Sequence, residues 1–420
     1  MDSSKILQQK IASLLLYQSV FKNPLGKSFI YLLETLQKPV NHIPSFQAYG
    51  KWFQLLAAKG KSWQDYLIQQ ILWDDNPFSQ GVQKYSLADL SPALLAAAQY
   101  DLRILHSIAN CSEKQISLWV KETADLPEKL VTWQSKNETQ TLLHQENNWA
   151  DSLEKLASYY RQHGTGLLGK YRALTWQGSK LIGIPHPDPS TLNSLVGYES
   201  QKEALLKNTE FLLKGHNALH VLLYGSRGSG KSSLVKGLLQ KYSDRGLRLV
   251  EVSKSQLQDL PLIVEQLRPL PQKFIVFVDD LSFEEDDDAF KALKVVLEGS
   301  VTARAKNVVV YATSNRRHLI REFFEDRPRP RDHDEVHGWD TMQEKLSFSD
   351  RFGLTLTFEP ANQNTYLNIV NHLAKEAEIN LPTNDLEYRA KQWATRNNGR
   401  SGRTARQFID FLQADLANGQ

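Results

Sequence analysis

The chain predicts an α/β fold: a mostly parallel, five-stranded sheet, an all-helical domain before it and a small helical lid after it. Three observations carry this expectation. From Leu195 to Pro360 short apolar runs alternate with helix-spaced segments, the pattern of strands joined by helical crossovers. Inside that region Gly225-Ser226-Arg227-Gly228-Ser229-Gly230-Lys231-Ser232 matches G-x-x-x-x-G-K-[ST] between an apolar run and a helix-like segment. On either side the strand signal is absent, and apolar residues recur at helical spacing.

The N-terminal expectation covers residues 1–183. Leu90 to Ala109 and Leu153 to Gln162 have helical spacing, and Trp52, Trp63, Trp73, Trp119, Trp133, Trp149 and Trp176 fall in this half. Large aromatics of this kind serve burial, so they are read as core. Pro185, Pro187 and Pro189 interrupt regular structure and mark residues 184–192 as a linker. The nucleotide-binding domain is then 193–360, with strands expected at Leu219 to Tyr224, Leu247 to Val252, Phe274 to Asp279, Asn307 to Thr313 and Leu354 to Phe358. Residues 361–420 form the lid, with helices at Asn364 to Ala377, Asp385 to Thr395 and Thr404 to Leu416.

Bulk composition narrows the class. A chain of 420 residues exceeds one ordinary core, and 41% apolar with 23% charged residues is the balance of a soluble globular protein. No apolar run reaches the roughly 20 residues a membrane span needs, and the N-terminus lacks the pattern of a secretory signal. Cys111 is the single cysteine, so no internal disulfide forms and a reducing, cytoplasmic setting is expected. A net charge of +3 lacks the basic excess of a dedicated nucleic-acid binder, though a local basic surface stays possible.

The chemistry is concentrated around the glycine-rich octapeptide. Its glycines let the backbone curl so that N–H groups face phosphate oxygens, with the positive end of a helix behind them. Gly225 through Ser233 therefore form the expected phosphate cradle, Lys231 reaching the β- and γ-phosphates and Ser232 holding Mg²⁺. Phe274 to Val278 is an apolar strand ending in Asp279 and Asp280, which looks like a Walker B segment. Asp279 would hold Mg²⁺ through its water shell, and Asp280 takes the place of a general base that is commonly Glu. The shorter Asp leaves three readings open: action through an extra water, substitution by Glu284 or Glu285, or very slow hydrolysis. Asp286 to Asp288 suit the start of a helix. Asp332, His333, Asp334, Glu335 and His337 sit in a Pro- and Arg-rich loop without metal-ligand spacing and read as exposed.

Farther along, Asn315 ends a strand and resembles sensor 1, which contacts the γ-phosphate or orients the attacking water. Ser349-Asp350-Arg351-Phe352-Gly353 resembles an arginine-finger segment, with an ion pair to Asp350 as the plainer alternative. Arg403, in Gly399-Arg400-Ser401-Gly402-Arg403-Thr404-Ala405-Arg406, is the candidate for sensor 2, in competition with Arg400 and Arg406.

In this order the elements resemble an AAA+ P-loop NTPase, and Leu195-Val196-Gly197-Tyr198-Glu199 resembles its adenine-side segment. A narrower resemblance rests on Val278 to Glu284, Tyr311 to Leu319, Asp340 to Leu346 with Ser349 to Gly353, and Ser401 to Ala405. These look like a bacterial AAA+ family catalogued only as a domain of unknown function. It covers roughly residues 190–415 firmly, and Asp101-Leu102-Arg103 more loosely. The resemblance implies that Asp280 is a family feature. It also implies ATP and Mg²⁺ as cofactors, a homo-oligomer whose Arg351 enters a neighbour's site, and an unidentified protein or nucleic-acid partner. A motor or remodeller and a weakly hydrolysing switch or loader are the two main readings. A P-loop kinase acting on a small molecule fits Asn315 and the helical lid less well.

Overall fold

A computed structural model of the chain describes residues 2–37, 43–124, 128–135, 142–283, 288–299, 303–316, 319, 348–397 and 399–418. Two compact units divide it, Met1–Lys170 and Tyr171–Gln420. Among the described residues no helix is long and apolar enough to cross a membrane.

The first unit is helical. Helices such as Pro24–Thr35, Ile43–Lys59, Trp63–Trp73 and Pro92–Ala109 bury one face each around Phe29, Trp52 and Trp63. The rings of Phe29 and Trp63 lie 4.4 Å apart, and both side chains are buried, as expected of core aromatics. Asp101 has a different task. Its buried carboxylate accepts the backbone N–H groups of Leu15 at 2.9 Å, Leu16 at 2.7 Å and Tyr17 at 2.9 Å. These donors fall between the helix Asp2–Ala12 and the short turn Tyr17–Phe21, where no helical carbonyl serves them.

The second unit holds a seven-stranded sheet ordered β2-β1-β4-β5-β6-β3-β7. Its strands are β1 Ala173–Gln177, β2 Lys180–Gly183, β3 Val221–Gly225, β4 Leu247–Glu251, β5 Lys273–Val278, β6 Val308–Ser314 and β7 Leu354–Phe358. The five expected strands are β3 to β7, all parallel to their neighbours. β5 and β6 are apolar on both faces because helices cover the sheet on both sides. Val221, Leu223, Ile275, Phe277 and Tyr311 share a core with Leu205 of the helix Glu199–Leu213 and Leu234 of the helix Lys231–Tyr242.

The added pair corrects two expectations. Residues 173–183 are a β-hairpin and not the end of a helical domain. β1 joins β4 in parallel through Ala173↔Leu249, and β2 returns antiparallel through Trp176↔Leu181. Gly178 and Ser179 at its tip have φ of 57° and 59°, the twist that a tight two-residue hairpin needs. The proline-rich stretch expected as a linker falls inside the second unit, where Asp188 pairs with Lys236 at 3.3 Å and Leu192 is buried. Prolines end regular structure without ending a domain.

After β7 come three lid helices, Gln363–Glu376, Thr383–Arg396 and Gly402–Asn418, close to the expected ranges. Asn362 caps the first by accepting the N–H of Thr365 at 2.8 Å. Tyr366, Val370, Ala390, Ala405 and Phe408 close their common core.

Candidate nucleotide site

β3 ends at Gly225, and the chain turns tightly against β7 before entering the helix Lys231–Tyr242. A Cβ on Gly225, whose φ is 132°, would lie 2.1 Å from the Phe358 carbonyl oxygen. Only glycine allows this approach, and the Ser226 N–H secures it by donating to the same oxygen at 2.8 Å. The loop's far side meets the third lid helix. Gly228 has φ of 72°, its carbonyl accepts the Arg403 N–H at 3.0 Å, and a Cβ there would press on Ser401 and Arg403. Loop and lid are thus fitted to each other through backbone atoms.

Lys231 opens the helix with its side chain folded under the loop. Only 6% of it is exposed, and Nζ donates to the carbonyls of Gly225 at 3.0 Å and Ser226 at 2.7 Å. Burial pushes its pKa below the usual lysine value; Asp279 and Asp280 oppose that shift, and Arg403 adds to it.

One buried threonine, Thr313, ties the two adjacent aspartates together. Ser232 Oγ donates to Asp279 Oδ1 at 2.6 Å, and Thr313 Oγ1 donates to the same oxygen. Thr313 Oγ1 in turn accepts the N–H of Asp280 at 2.9 Å. Asp280 sits in the left-handed region with φ of 51°, a conformation that Asp tolerates better than most residues. This turns its carboxylate toward Asn315, whose Nδ2 donates to Oδ1 at 2.6 Å. Adjacent parallel strands make the constellation, because Val278 of β5 stands opposite Ala312 of β6 and both chains exit at the same edge.

These groups line one cleft of about 770 Å³, ample for a nucleotide. Val196, Arg227 through Ser233, Asp279, Asp280, Asn315 and Arg403 all face it. Gly197, Tyr198, Gly225 and Ser226 do not line it. Tyr198 donates its hydroxyl to the Glu359 carbonyl at 2.7 Å and packs on Phe358. Of the lid arginines, Arg403 and Arg406 face the cleft, whereas Arg400 donates to Gln363. Arg351 is away from the cleft of its own chain and pairs with Glu298, which ends the helix Asp288–Glu298. Glu284, Glu285, Asp286, Asp287, residues 332–337 and residues 340–346 lie outside the described residues.

Thr313, Ile369 and Leu373 are among the lining residues that sequence does not single out. Thr313 reads as an ordinary β-branched strand residue. Ile369 and Leu373, one turn apart on the first lid helix, have the spacing of a helix face, but sequence does not say what that face meets. With Leu195 and Val196 they give the cleft an apolar part of its lining, beside the charged groups of Lys231 and Asp279.

The donor set fits the expected ligands. Ser232 and Asp279 offer a hydroxyl and a carboxylate oxygen side by side, hard oxygen donors of the kind Mg²⁺ takes, directly or through water. Loop N–H groups and a buried ammonium suit a polyphosphate, and the apolar part of the lining suits a base.

A family model described as "Protein of unknown function (DUF815)" matches residues 169–416. Among curated proteins none matches the chain. One similar solved structure is the RuvB Holliday junction branch migration motor of Thermotoga maritima, at 15% identity over 53% of this chain and 72% of that one, with a TM-score of 0.33. Another is the AMPPCP-bound DnaA of Aquifex aeolicus, at 16% identity over 54% of this chain and 66% of that one, with a TM-score of 0.36.

Proposed function

The chain belongs to the DUF815 family, and from that premise we propose that it is an AAA+ ATPase coupling Mg-ATP binding and hydrolysis to the remodelling or loading of a macromolecular partner. The observation that supports this most is the hydrogen-bonded series Ser232, Asp279, Thr313, Asp280 and Asn315, which ends beside the phosphate loop. Ser232 and Asp279 would hold Mg²⁺, which would supply charge neutralisation on the phosphate oxygens. The chain's own groups do the rest. Loop N–H groups and the Lys231 ammonium hold the polyphosphate, and Asn315 and Asp280 orient a water, with Asp280 placed to take its proton. The partner is a protein or nucleic acid, and the working form is a homo-oligomer in the cytoplasm.

A second reading has a specific observation behind it. One oxygen of Asp280 is engaged by Asn315, and its side chain is shorter than a glutamate's, which favours an ATP-dependent assembly switch with little turnover. Mg²⁺-dependent hydrolysis measured across a wide range of protein concentrations, against Lys231→Ala as background, separates the two. Turnover that rises cooperatively and vanishes in the variant supports the ATPase. Tight ATP binding without turnover supports the switch, and failure of both to bind sinks the nucleotide assignment.

A further inference from the structure

The parallel strands β3 to β7 run toward the nucleotide cleft, so their first residues share the opposite edge of the sheet. The helices Glu199–Leu213 and Lys231–Tyr242 run the other way and end at that edge too. Along the stretch from β4 to β3 arginines already take the carboxylates. Glu210 accepts two N–H groups of Arg245 at 2.7 and 2.9 Å, Asp244 pairs with Arg172 at 2.9 Å, and Glu265 pairs with Arg268 at 2.7 Å.

Five cations remain. Among the described residues Lys214, Lys241, Lys273, Arg304 and Lys306 enter no ion pair. Lys214 and Lys241 stand at the ends of the two helices, Lys273 opens β5, and Arg304 and Lys306 precede β6. Desolvation pushes the pKa values of Lys273 and Arg304 down, and no carboxylate opposes it. Toward β7 the excess ends, where Asp350 is exposed and Arg351 pairs with Glu298. From β4 to β3 the edge crosses three strand spacings, about 14 Å. Unpaired cations along so short a stretch make a local potential that the net charge of +3 conceals.

An aromatic ring accompanies these charges. Phe211, in the last turn of the helix Glu199–Leu213, is 39% exposed and has Lys207 Nζ 6.0 Å from its centre. The exposed ring of His216 meets it edge-on at 6.4 Å. Cations track a phosphate backbone while an exposed ring offers a base a face, whereas an acidic peptide or a lipid surface would use the charges alone.

We infer that this edge binds single-stranded nucleic acid, its phosphates crossing Lys241, Lys273 and Lys306 and a base lying against Phe211. From the proposed function the inference takes only the existence of a macromolecular partner, and of the two classes left open there it chooses nucleic acid.

The test uses the full chain without nucleotide and follows the fluorescence anisotropy of a labelled oligothymidylate of about 15 nucleotides, from about 50 to 200 mM salt. An oligouridylate of the same length distinguishes RNA from DNA. Expected is binding that weakens with salt. In Lys241→Gln/Lys273→Gln/Lys306→Gln the affinity should fall at least about tenfold, and the slope of log affinity against log salt should shrink by about two. Phe211→Ala should weaken binding about fivefold or more with its slope unchanged. Polyglutamate of matched length should bind at least about tenfold more weakly than the oligonucleotides. Binding of neither strand, an unchanged affinity and slope in the triple variant, undiminished binding by Phe211→Ala, or equal affinity for polyglutamate would overturn the inference. ATP binding, titrated separately, should be the same in wild type and variants, so this edge and the nucleotide cleft fail independently. Should the triple variant not fold, Lys214→Gln/Lys241→Gln at exposed helix ends takes its place, with a slope smaller by about one.

Discussion

Thr313 joins the two acids of the site, and its hydroxyl is the only part of it that does so. Replacing it by valine keeps the shape but leaves Asp280 without a partner for its N–H and Asp279 with one donor fewer. The expected cost is about 0.5–1.5 kcal/mol of stability from the lost part-buried hydrogen bonding, read as a lower urea midpoint. Nucleotide affinity without Mg²⁺ should be unchanged, the gain in affinity on adding Mg²⁺ should shrink, and Thr313→Ser should restore it. A valine variant with an undiminished Mg²⁺ effect would show that Thr313 does not position Asp279. His220 makes a prediction about pH. Its pKa is lowered from the ordinary 6.5 to about 3, so between those values the unfolded chain holds a proton that the folded chain does not. Stability from this group is complete above pH 6.5 and falls as pH drops toward 3, by at most about 1.4 kcal/mol per unit. Urea midpoints from pH 7 to pH 4.5 should therefore fall less steeply in His220→Phe than in wild type. Parallel curves would contradict the buried neutral ring.

The contact between the phosphate loop and the third lid helix is made of backbone, so it is sensitive to a single methyl group. Gly228→Ala puts a Cβ 2.9 Å from Ser401 Oγ and 3.0 Å from the Arg403 Cβ, at a φ of 72° that alanine resists by about 1–2 kcal/mol. The lid should loosen from the loop, and hydrogen exchange of the Arg403 N–H should quicken while the sheet's protection is kept. Unaltered exchange would show that the lid is held elsewhere. Much of this arrangement was legible in the chain. The octapeptide fixes its own turn and helix, and β3 to β7 are apolar runs too short to be helices, so their ranges differ from expectation by two residues at most. The hairpin was obscured although Gly178-Ser179 between alternating residues is a hairpin signal, because it follows directly on a long helical stretch. Thr313, Ile369 and Leu373 belong to the site through register and packing, which connect residues far apart in sequence, and local patterns do not encode such pairings. The exit edge shared by β5 and β6 is a consequence of sheet order, and sheet order is not written in either strand.

Arg351 raises the question of assembly, because the cleft of its own chain is built without it. In this chain it pairs with Glu298, an interaction made by a side chain only 19% exposed. Were its task only that ion pair, Arg351→Ala would lower stability and leave turnover per folded chain unchanged. The proposed oligomer requires a different result. Each site would combine Lys231 of one copy with Arg351 of the next, a head-to-tail contact in which the two residues act across an interface. Lys231→Ala and Arg351→Ala should then be inactive for different reasons, the first without ATP binding and the second with binding intact. Mixed in equal amounts, they should recover activity. A site is complete when an Arg351→Ala copy supplies Lys231 and a Lys231→Ala neighbour supplies Arg351, so random assembly gives about a quarter of the wild-type sites. The recovery should grow with total protein concentration and disappear on dilution. A mixture as inactive as its parts, in a sample shown by light scattering to be assembled, would rule out a shared site and return Arg351 to the ion pair with Glu298.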